Sequence, residues 1–313
     1  MNFQQLRYVR ETVRRGLNLT EAANALHTSQ PGVSKQIREL ENELGFDIFV
    51  RRGKRMSAIT EPGKAVLDII ERVLQEAENL KRAAQDFSDR DAGGLTIATT
   101  HTQARYALPR VVGEFKRRYP KVHLTLQQGN PLQLAEMVQA GAADIAIATE
   151  ALEHSPGLLA LPAYTWSHCA VVPPRHALLK AGTLTLEALA KYPIVTYDSA
   201  FAGRTHIDAA FAARGLAVDV VLSAIDADVI KTYVELGLGV GIIAAMAFEA
   251  KRDLKLRALD CAHLFRSNTT RVALKRGSLL RGYAYEFIEL FAPALNRKLI
   301  ERALAGEGEL YEL

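Results

Sequence analysis

The sequence predicts an α/β protein in three parts: a small helical segment at the N-terminus, one long helix, and a larger region that forms two α/β lobes. Three observations indicate this division. Basic residues exceed acidic ones only in the first sixty residues. An apolar heptad pattern runs through residues 66–87. Beyond residue 94, apolar strand-like runs alternate with helical stretches, which is typical of open, mainly parallel sheets with helices between the strands.

The composition excludes several classes of protein. A chain of 313 residues with 49% hydrophobic and 24% charged residues is long enough for about two globular domains. The first residues, MNFQQLRYVRET, contain no apolar signal segment, and no uncharged apolar run approaches membrane-spanning length. We therefore expect a cytoplasmic protein without a membrane partner. In such a protein, Cys169 and Cys261 are expected to be reduced thiols rather than a disulfide.

The net charge of +4 is concentrated at the N-terminus. Residues 1–60 contain ten Lys/Arg and six Asp/Glu, and the remaining residues contain 29 of each kind. A local basic excess indicates a polyanionic partner in this region. A solvated basic surface explains the charge equally well, so the motifs must decide between the two.

The stretch NLTEAANALHTSQPGVSKQIRELENELG predicts two helices joined by a tight turn. Thr20 is the expected N-cap of the first helix and Ser29 that of the second. Pro31 suits the first turn of the second helix, and Gly45 ends it. The apolar residues of the second helix recur at 4-3-4 spacing and face one core: Val33, Ile37, Leu40 and Leu44. This is the geometry of a helix-turn-helix, whose second helix enters the major groove of DNA.

A basic hairpin follows the helix pair and completes a winged helix-turn-helix. DIFVRRGKRMSAIT reads as strand, turn at Gly53 and strand, a form suited to contacts with the DNA backbone or minor groove. On the helix, Gln30, Ser34 and Arg38 are expected to reach base edges and Lys35 a phosphate. The predicted DNA-binding residues are the exposed polar and basic positions of helix and hairpin, with the helix-start proline: Gln30, Pro31, Ser34, Lys35, Arg38, Arg51, Arg52, Lys54 and Arg55. The alternative, an ordinary amphipathic helix pair, leaves the hairpin unexplained.

A long linker helix is predicted after the hairpin. Its apolar residues alternate steps of four and three, which indicates a coiled-coil seam between two chains: Val66, Ile70, Val73, Ala77, Leu80, Ala84 and Phe87. The alternative is a helix packed on its own domain. Two alanines make the seam modest, so a dimer is expected to need further contacts. The polar segment 88–94 ends in glycines and is a natural boundary. The predicted domains are residues 1–60, 61–90 and 91–313.

The larger region is predicted to form two Rossmann-like lobes, about 91–165 plus 266–313, and 166–265. The predicted strands are the apolar runs between helical stretches: 95–99, 122–128, 144–149, 167–173, 193–197, 218–224, 240–245 and 270–276. Ligands of such folds bind at the carboxyl ends of the strands, beside helix N-termini.

Polar residues follow several of these strands. Thr99, Thr100, Thr102 and Gln103 follow the first strand, Thr149 follows another, and two further groups are 197–203 and 226–228. Helix N-termini with hydroxyl groups bind anions without Lys or Arg. Each residue alone could be a simple helix cap, but their corresponding positions predict one cleft. LGLGVGI (236–242) resembles a dinucleotide-binding turn only weakly, because its glycine spacing is wrong and a strand follows it.

The N-terminal motifs QQLRYV, AANALHTSQPGVSKQIRELENELG and FVRRGKRMSAITEPGK resemble those of the LysR-type transcriptional regulators. The segments IATTHTQARYALP, ADIAIATEAL, YPIVTY and DADVIKTYVELGLGVGII resemble the effector domain of the CysB-type subfamily, which controls sulfur assimilation. The resemblance covers nearly the whole chain. It implies lobes resembling periplasmic binding proteins, homotetramers, binding to double-stranded promoter DNA, and an effector such as sulfate or acetylserine rather than a cofactor.

The effector-binding residues that the resemblance implies are Thr100, Thr102, Gln103, Thr149, Trp166, Ala202 and Ala227. Ala227 is expected to act through its backbone. Ala202 departs from the family, which often carries Thr at that position, so a hydroxyl contact is lost there. His206 and Asp198 lie nearby in sequence. This departure predicts a shifted effector preference, as in relatives that control the use of sulfonates or other organosulfur compounds.

Two other functions remain as alternatives. A solute-binding protein without DNA binding would share the two-lobed fold, but the missing export signal and the basic hairpin count against it. An α/β enzyme acting on a small sulfur metabolite would use the strand-end hydroxyls. No general base, nucleophile motif or metal-binding spacing stands out among the eight histidines and two cysteines, so we expect neither catalysis nor a metal site.

Overall fold

The computed structural model describes residues 1–53, 55–180 and 182–306, without the side chains of Ser88, Glu150, Ala151 and Ala202. These residues form two compact units. The first comprises residues 1–87 with the short segment 277–279, and the second comprises the rest. None of the helices described is long and apolar enough to cross a membrane.

The helices are α1 (Phe3–Arg14), α2 (Leu19–Ala25), α3 (Gln30–Leu44), α4 (Glu61–Ser88), α5 (Leu108–Arg118), α6 (Pro131–Ala140), α7 (Leu186–Leu189), α8 (Ala202–Ala213), α9 (Ala227–Glu235), α10 (Gly282–Phe291) and α11 (Arg297–Leu304). The strands are β1 (Phe49–Arg52), β2 (Arg55–Ile59), β3 (Ala92–Thr99), β4 (Lys121–Gln128), β5 (Ile145–Ala148), β6 (Leu158–Trp166), β7 (His168–Val172), β8 (Ile194–Tyr197), β9 (Val220–Ala224), β10 (Val240–Ala244), β11 (Arg257–Asp260) and β12 (Asn268–Lys275).

The first unit contains the predicted helix-turn-helix and hairpin. Ser29 caps α3 by accepting a hydrogen bond from the Gly32 N–H, and Gly45 ends this helix in a left-handed conformation (φ 78°). The N-cap of α2 differs from the prediction. Asn18, not Thr20, caps it, because the Asn18 side chain accepts hydrogen bonds from two backbone N–H groups of the first turn. The strands β1 and β2 pair antiparallel around Gly53.

A buried carboxylate joins α3, the second helix of the helix-turn-helix, to the hairpin. Glu41 of α3 is buried beside the core residues Ile37 and Leu40. Its Oε1 atom accepts hydrogen bonds from the N–H groups of Ile48 (2.8 Å) and Phe49 (3.1 Å). Its Oε2 atom pairs with the guanidinium of Arg51. One side chain therefore fixes the start of β1 against the C-terminal half of α3.

The linker helix α4 is present, but only part of its predicted apolar seam is exposed to solvent. Val66 and Ile70 pack into the core of the first unit, together with Leu74. The C-terminal seam residues remain exposed, among them Leu80 (73%) and Phe87 (94%). The alternative of a helix packed on its own domain therefore holds for only one half of it. Its first half packs on its own domain, and its second half presents unpaired apolar side chains.

The second unit has two five-stranded sheets, in the orders β4-β3-β5-β12-β6 and β11-β7-β10-β8-β9. Within them β3 runs parallel to β4 and β5, and β8 runs parallel to β9 and β10. The strands β6, β7, β11 and β12 pair antiparallel, so the sheets are mixed rather than mainly parallel. We call the lobe of the first sheet lobe I and that of the second lobe II.

The chain crosses between the lobes twice. It leaves lobe I after Trp166, enters lobe II at His168, and returns to lobe I at Asn268. All eight predicted strands are present, and β6 and β11 are additional. Pro162 lies within β6, where the pairing with β12 shifts register, and a proline within an apolar run argues against a strand in the sequence.

The two cysteines are free, as predicted, and both are buried. Burial raises the pKa of each thiol to about 12, so neither is a reactive thiolate at neutral pH.

Replacing Glu41 by alanine should destabilise the first unit. The substitution leaves two backbone N–H groups and the Arg51 guanidinium without their buried partner, which costs about 3 kcal/mol of unfolding free energy. Denaturant unfolding of the full chain measures this. Glu39→Ala is the matched control, because the contacts of Glu39, an ion pair with Lys35 and a hydrogen bond from Gln36, are both exposed. Equal stability of the two variants would contradict the role given to Glu41.

Candidate functional site

The predicted DNA-binding helix presents its polar face to solvent. Pro31, Lys35 and Arg38 are exposed on α3, and Gln30 and Ser34 are half-buried. The opposite face is fully buried in the core of the first unit. Gln30 also lines a polar cleft that Asn18, Thr20 and Arg55 share. This cleft brings the helix-turn-helix and the hairpin together on one surface.

The hairpin residues divide into two groups. Arg52 and Arg55 are exposed next to the Gly53 turn, where a polyanion can reach them. Arg51 has partners within its own domain. Its guanidinium pairs with Glu41 and lies 3.6 Å from Asp47, so its charge is neutralised inside the domain. Lys54 falls outside the described residues.

In lobe I the strand-end threonines lie at the carboxyl ends of two neighbouring parallel strands. The parallel strands β3 and β5 align Thr99 with Ile147, two residues before Thr149. The Thr99 hydroxyl donates to the Ile147 carbonyl (2.9 Å), so its role is structural. Thr100 and Thr149 follow these strand ends and are both at most 9% exposed. Two buried hydroxyl-bearing residues therefore lie on adjacent strand ends.

Neither Thr102 nor Thr149 acts as a simple helix cap. Each occupies the cap position of the turn that follows it, yet neither makes a side-chain capping hydrogen bond. The Thr102 hydroxyl instead lies within hydrogen-bond reach of the Tyr197 hydroxyl, which accepts the Ala244 N–H (3.0 Å). Because Tyr197 belongs to lobe II, Thr102 meets the opposite lobe.

Gln103 opens a π-helical turn, Gln103–Ala107, a form frequent at functional sites. Its side-chain amide is buried and makes hydrogen bonds to residues of two strands of its own lobe, β12 and β6. Gln103 Nε2 donates to Thr270 Oγ1 (3.1 Å), and the Tyr164 hydroxyl donates to Gln103 Oε1. Burial raises the pKa of Tyr164, so this phenol is neutral and acts as a donor. The Gln103 side chain therefore fixes the turn that carries Thr102.

Lobe II contributes two helix N-termini at the ends of β8 and β9. The helix α8 begins at Ala202, whose side chain lies outside the described set, and its N-cap Phe201 makes no side-chain capping hydrogen bond. The helix α9 begins at Ala227, which is fully buried. Asp226 caps α9 through the Val229 N–H (2.8 Å), as the simple-cap interpretation expected. The first N–H groups of a helix have no intrahelical partner and favour an anion.

A charged network connects the lobes directly beside these positions. The Tyr106 hydroxyl of lobe I donates to Asp228 Oδ1 (2.7 Å) and accepts from Lys231 Nζ (3.0 Å). Lys231 is 6% exposed and also donates to the Ala247 carbonyl (2.9 Å) and Asp253 Oδ1 (3.0 Å). Lys231 Nζ lies over the Tyr106 ring, 5.2 Å from its centroid. We call Tyr106, Asp228, Lys231 and Asp253 the interlobe latch.

The protonation states of the latch are fixed at neutral pH. Burial, with the hydrogen bond to Asp228, raises the pKa of Tyr106 to about 12. Burial alone would raise the pKa of Asp228, but the hydrogen bonds from Tyr106 and Lys231 outweigh it, and the pKa is lowered. Burial would likewise lower the pKa of Lys231, but hydrogen bonds to Tyr106 and Asp253 raise it. The latch thus combines a neutral Tyr106 phenol with a charged Asp228 and a charged Lys231.

Sequence spacing showed no metal site, but three-dimensional proximity gives one group of possible ligands in the described part of the chain. Side-chain ligand atoms of His101, Asp226 and Asp228 lie within 4.8 Å of one another. Asp228 already pairs with Lys231 (3.2 Å) and Arg105 (3.6 Å), and Asp226 caps α9. The carboxylates therefore serve the latch and the helix cap, and we assign no metal.

Trp166 lies at the crossover between the lobes rather than on a strand-end turn. Its ring packs edge-on against His168, with centroids 5.1 Å apart. Asn268 pairs in register with Trp166, so both crossovers meet here. Burial lowers the pKa of His168 to about 4, and His206 adds to this effect. His168 is therefore a neutral side chain at neutral pH.

Sequence reasoning missed several residues that organise the cleft, chiefly Tyr106, Tyr164, His168, Lys231 and Asn268. Lys231 gives no signal, because a lysine in an amphipathic helix is usually exposed. His168 gives a weak signal, as a polar residue inside the apolar run SHCAVVP. The others become visible only when two elements distant in sequence meet.

Replacing Tyr106 by phenylalanine should destabilise the second unit. The ring remains, but Asp228 and the buried Lys231 each lose a hydrogen bond, at a cost of about 2 kcal/mol. Thermal unfolding of the full chain measures the loss. Tyr233→Phe on α9 is the control, because Tyr233 is 37% exposed. A variant as stable as this control would show that the latch contributes nothing.

Two family models match the chain. The model described as "Bacterial regulatory helix-turn-helix protein, lysR family" matches residues 3–64. The model described as "LysR substrate binding domain" matches residues 88–296. The first covers α1 to the start of α4, and the second covers both lobes up to the residue before α11.

Similar proteins extend this match over the whole length. The chain is 60% identical to "HTH-type transcriptional regulator CysB" of Burkholderia cenocepacia over 313 residues, which is 100% of both chains. It is also 60% identical to "HTH-type transcriptional regulator SsuR" of the same organism over 306 residues, 98% of each chain. Among solved structures, the cofactor-binding domain of the Cbl transcriptional regulator is 48% identical, with a TM-score of 0.66, and the match covers 68% of this chain and 93% of that one.

These matches confirm the predicted fold and the predicted resemblance to CysB-type proteins. They also confirm that the chain is a regulator rather than an enzyme, because its family and its relatives are regulators. The chain belongs to the LysR family of bacterial helix-turn-helix transcriptional regulators, which bind DNA and small effectors.

Proposed function

We propose that this chain is a cytoplasmic regulator of sulfur assimilation genes, for sulfate and cysteine or for sulfonate metabolism. It binds promoter DNA with α3 and the hairpin, and an anionic or acetylserine-type effector binds between the lobes. The high identity to CysB and SsuR over the whole chain supports the regulatory role. The CysB-type motifs of the sequence support the link to sulfur.

For DNA, the arrangement of exposed groups supports a division of roles. Ser34 and Arg38 lie on the solvent face of α3, where a recognition helix contacts base edges. Gln30 is half-buried and lines the same cleft as Arg55. A residue proposed to contact bases therefore lies beside one proposed to contact a phosphate. Arg52 and Arg55 provide backbone contacts, and Arg51 acts indirectly by holding the hairpin on Glu41.

For the effector, the observation that carries the proposal is the Thr149 hydroxyl. It belongs to a residue that is 9% exposed at a strand end, and it makes no capping bond to the turn that follows. A hydroxyl that does not cap its own turn can donate to a ligand, and an anion oxygen is one that a hydroxyl and helix N-termini bind together. Thr100 and Thr102 come from the adjacent strand end, and Ala227 supplies N–H groups at the start of α9.

Self-association is proposed through the second half of α4. Leu80 and Phe87 are large apolar side chains on an exposed face, together with Val73 (39%). A repeat of 3.5 residues buries such a stripe against a second copy of the helix. The dimer presents two recognition helices, so the DNA site contains paired half-sites. A homotetramer requires further contacts from the second unit.

Removing a hairpin arginine should flatten the salt dependence of DNA binding. Each phosphate that a cation neutralises contributes about 0.9 to the slope of log affinity against log salt concentration. Arg52→Ala and Arg55→Ala should each lower the slope by about that amount, measured by fluorescence anisotropy with promoter DNA. Arg117→Ala on α5 is the control for a lost surface charge. Unchanged slopes in both hairpin variants would contradict phosphate contact.

Removing the Thr102 hydroxyl should weaken effector binding about tenfold, because a buried hydrogen bond to a charged group is worth roughly 1.5 kcal/mol or more. Calorimetric titration of Thr102→Ala with sulfate measures this. DNA affinity without effector should stay near that of the original protein. Thr125→Ala, at an exposed position of β4, is the matched control. Unchanged sulfate affinity in Thr102→Ala would remove Thr102 from the site.

A further inference from the structure

Unpaired polar atoms are concentrated at the crossover between the lobes. Among the described residues, nine buried side-chain nitrogen or oxygen atoms make no hydrogen bond, and six of them belong to four residues there. They are Trp166 Nε1, His168 Nδ1 and Nε2, His206 Nδ1, and Asn268 Oδ1 and Nδ2. We call Trp166, His168, His206 and Asn268 the crossover cluster.

The four side chains form one group around the start of α8. A Cβ atom placed on Gly203 would lie 3.2 Å from His168 Nε2, 3.3 Å from Trp166 Cη2 and 3.9 Å from Asn268 Oδ1. His206 lies one helical turn further along α8 and affects His168 electrostatically. His168 and Asn268 are both fully buried.

Leaving these atoms unpaired is energetically unfavourable. A buried donor or acceptor without a partner costs about 1–3 kcal/mol, and native proteins pair nearly all such groups. The Gly203 carbonyl is near enough to favour protonation of His168, but no ring nitrogen makes a hydrogen bond of normal geometry. Six such atoms in one place therefore indicate a partner that is not part of the chain, and because all six are closed to solvent, that partner reaches them only when the crossover between the lobes opens.

The chemistry of the cluster defines this partner. The Trp166 indole only donates hydrogen bonds, and the Asn268 amide both donates and accepts. A neutral imidazole likewise offers one donor and one acceptor. An inorganic anion such as sulfate only accepts, so it cannot satisfy the acceptors of Asn268 and His168. An amide or hydroxyl group both donates and accepts, and it satisfies the cluster without bringing a charge into it.

The position of the cluster connects it to the proposed effector site. Trp166 belongs to both, and Gly203 directly follows Ala202, the position where the family's threonine is absent. We propose that the crossover cluster is a subsite for the uncharged polar part of an organic effector, whose anionic end binds at the strand-end threonines. This proposal rests on the proposed function. It makes His168 and Asn268 specificity-determining residues, since an inorganic anion leaves the subsite without its partner.

The test compares two probes on the full chain by calorimetry. Sulfate carries only acceptors, whereas N-acetylserine carries a carboxylate with an amide and a hydroxyl. Asn268→Leu keeps the size of the side chain and removes both polar atoms. It should lower the affinity for N-acetylserine at least tenfold and change that for sulfate less than twofold. Asn42→Leu, at an exposed position of α3, is the matched control.

Gly203→Ala provides a second variant if Asn268→Leu does not fold. The added methyl group meets His168 and Trp166 at close contact distance and narrows the subsite, so the same selective loss is expected. Retained sulfate binding shows that each variant is folded. Equal losses for both probes would overturn the proposal, and so would unchanged affinity for N-acetylserine, which would mean that water alone fills the cluster. An original protein that binds neither probe would contradict the proposed function as well.

Discussion

The buried ammonium group of Lys231 is the constraint on which the arrangement of the two lobes depends. A buried charge is tolerated only when it is paired and hydrogen-bonded. Its partners in lobe II are Asp253, Asp228 and the Ala247 carbonyl, and its partner in lobe I is the Tyr106 hydroxyl. Lys231 is therefore fully satisfied only while Tyr106 stays in place. A movement of one lobe away from the other removes this hydrogen bond from a buried cation, which has an energetic cost.

The same backbone segments carry the latch and the proposed effector contacts. Tyr106 lies in the π-helical turn that starts at Gln103, four residues after Thr102. Asp228 and Lys231 lie in the first two turns of α9, whose N-terminus is Ala227. An effector that contacts both segments has one affinity for the protein when the latch contacts are formed and another when they are broken. Only such a difference in affinity shifts the equilibrium between two arrangements of the lobes. The crossover cluster lies where the chain passes between the lobes. The regulator thus has the parts required to convert effector binding into a change between its lobes.

The parts of this protein that local patterns define could be predicted from its sequence. The caps Ser29 and Gly45, the hairpin at Gly53 and eight strands followed from short-range signals, and the strand-end hydroxyls followed from topology. The errors have physical reasons. Pro162 lies within β6 and argued against a strand there, and Asn18 rather than Thr20 caps α2. Tyr106, Lys231 and the crossover cluster act through contacts between distant segments, which no local pattern encodes.

The central claim is that the latch and the effector site are coupled. Calorimetric titration of sulfate into the original chain and into Tyr106→Phe tests it most directly, because the Tyr106 hydroxyl pairs with Asp228 and Lys231 and is not among the proposed anion contacts. Coupling energies of about 1–3 kcal/mol correspond to affinity changes of roughly 5- to 150-fold. A change of at least fivefold in sulfate affinity is the predicted result. Identical affinities in the two proteins would contradict the coupling.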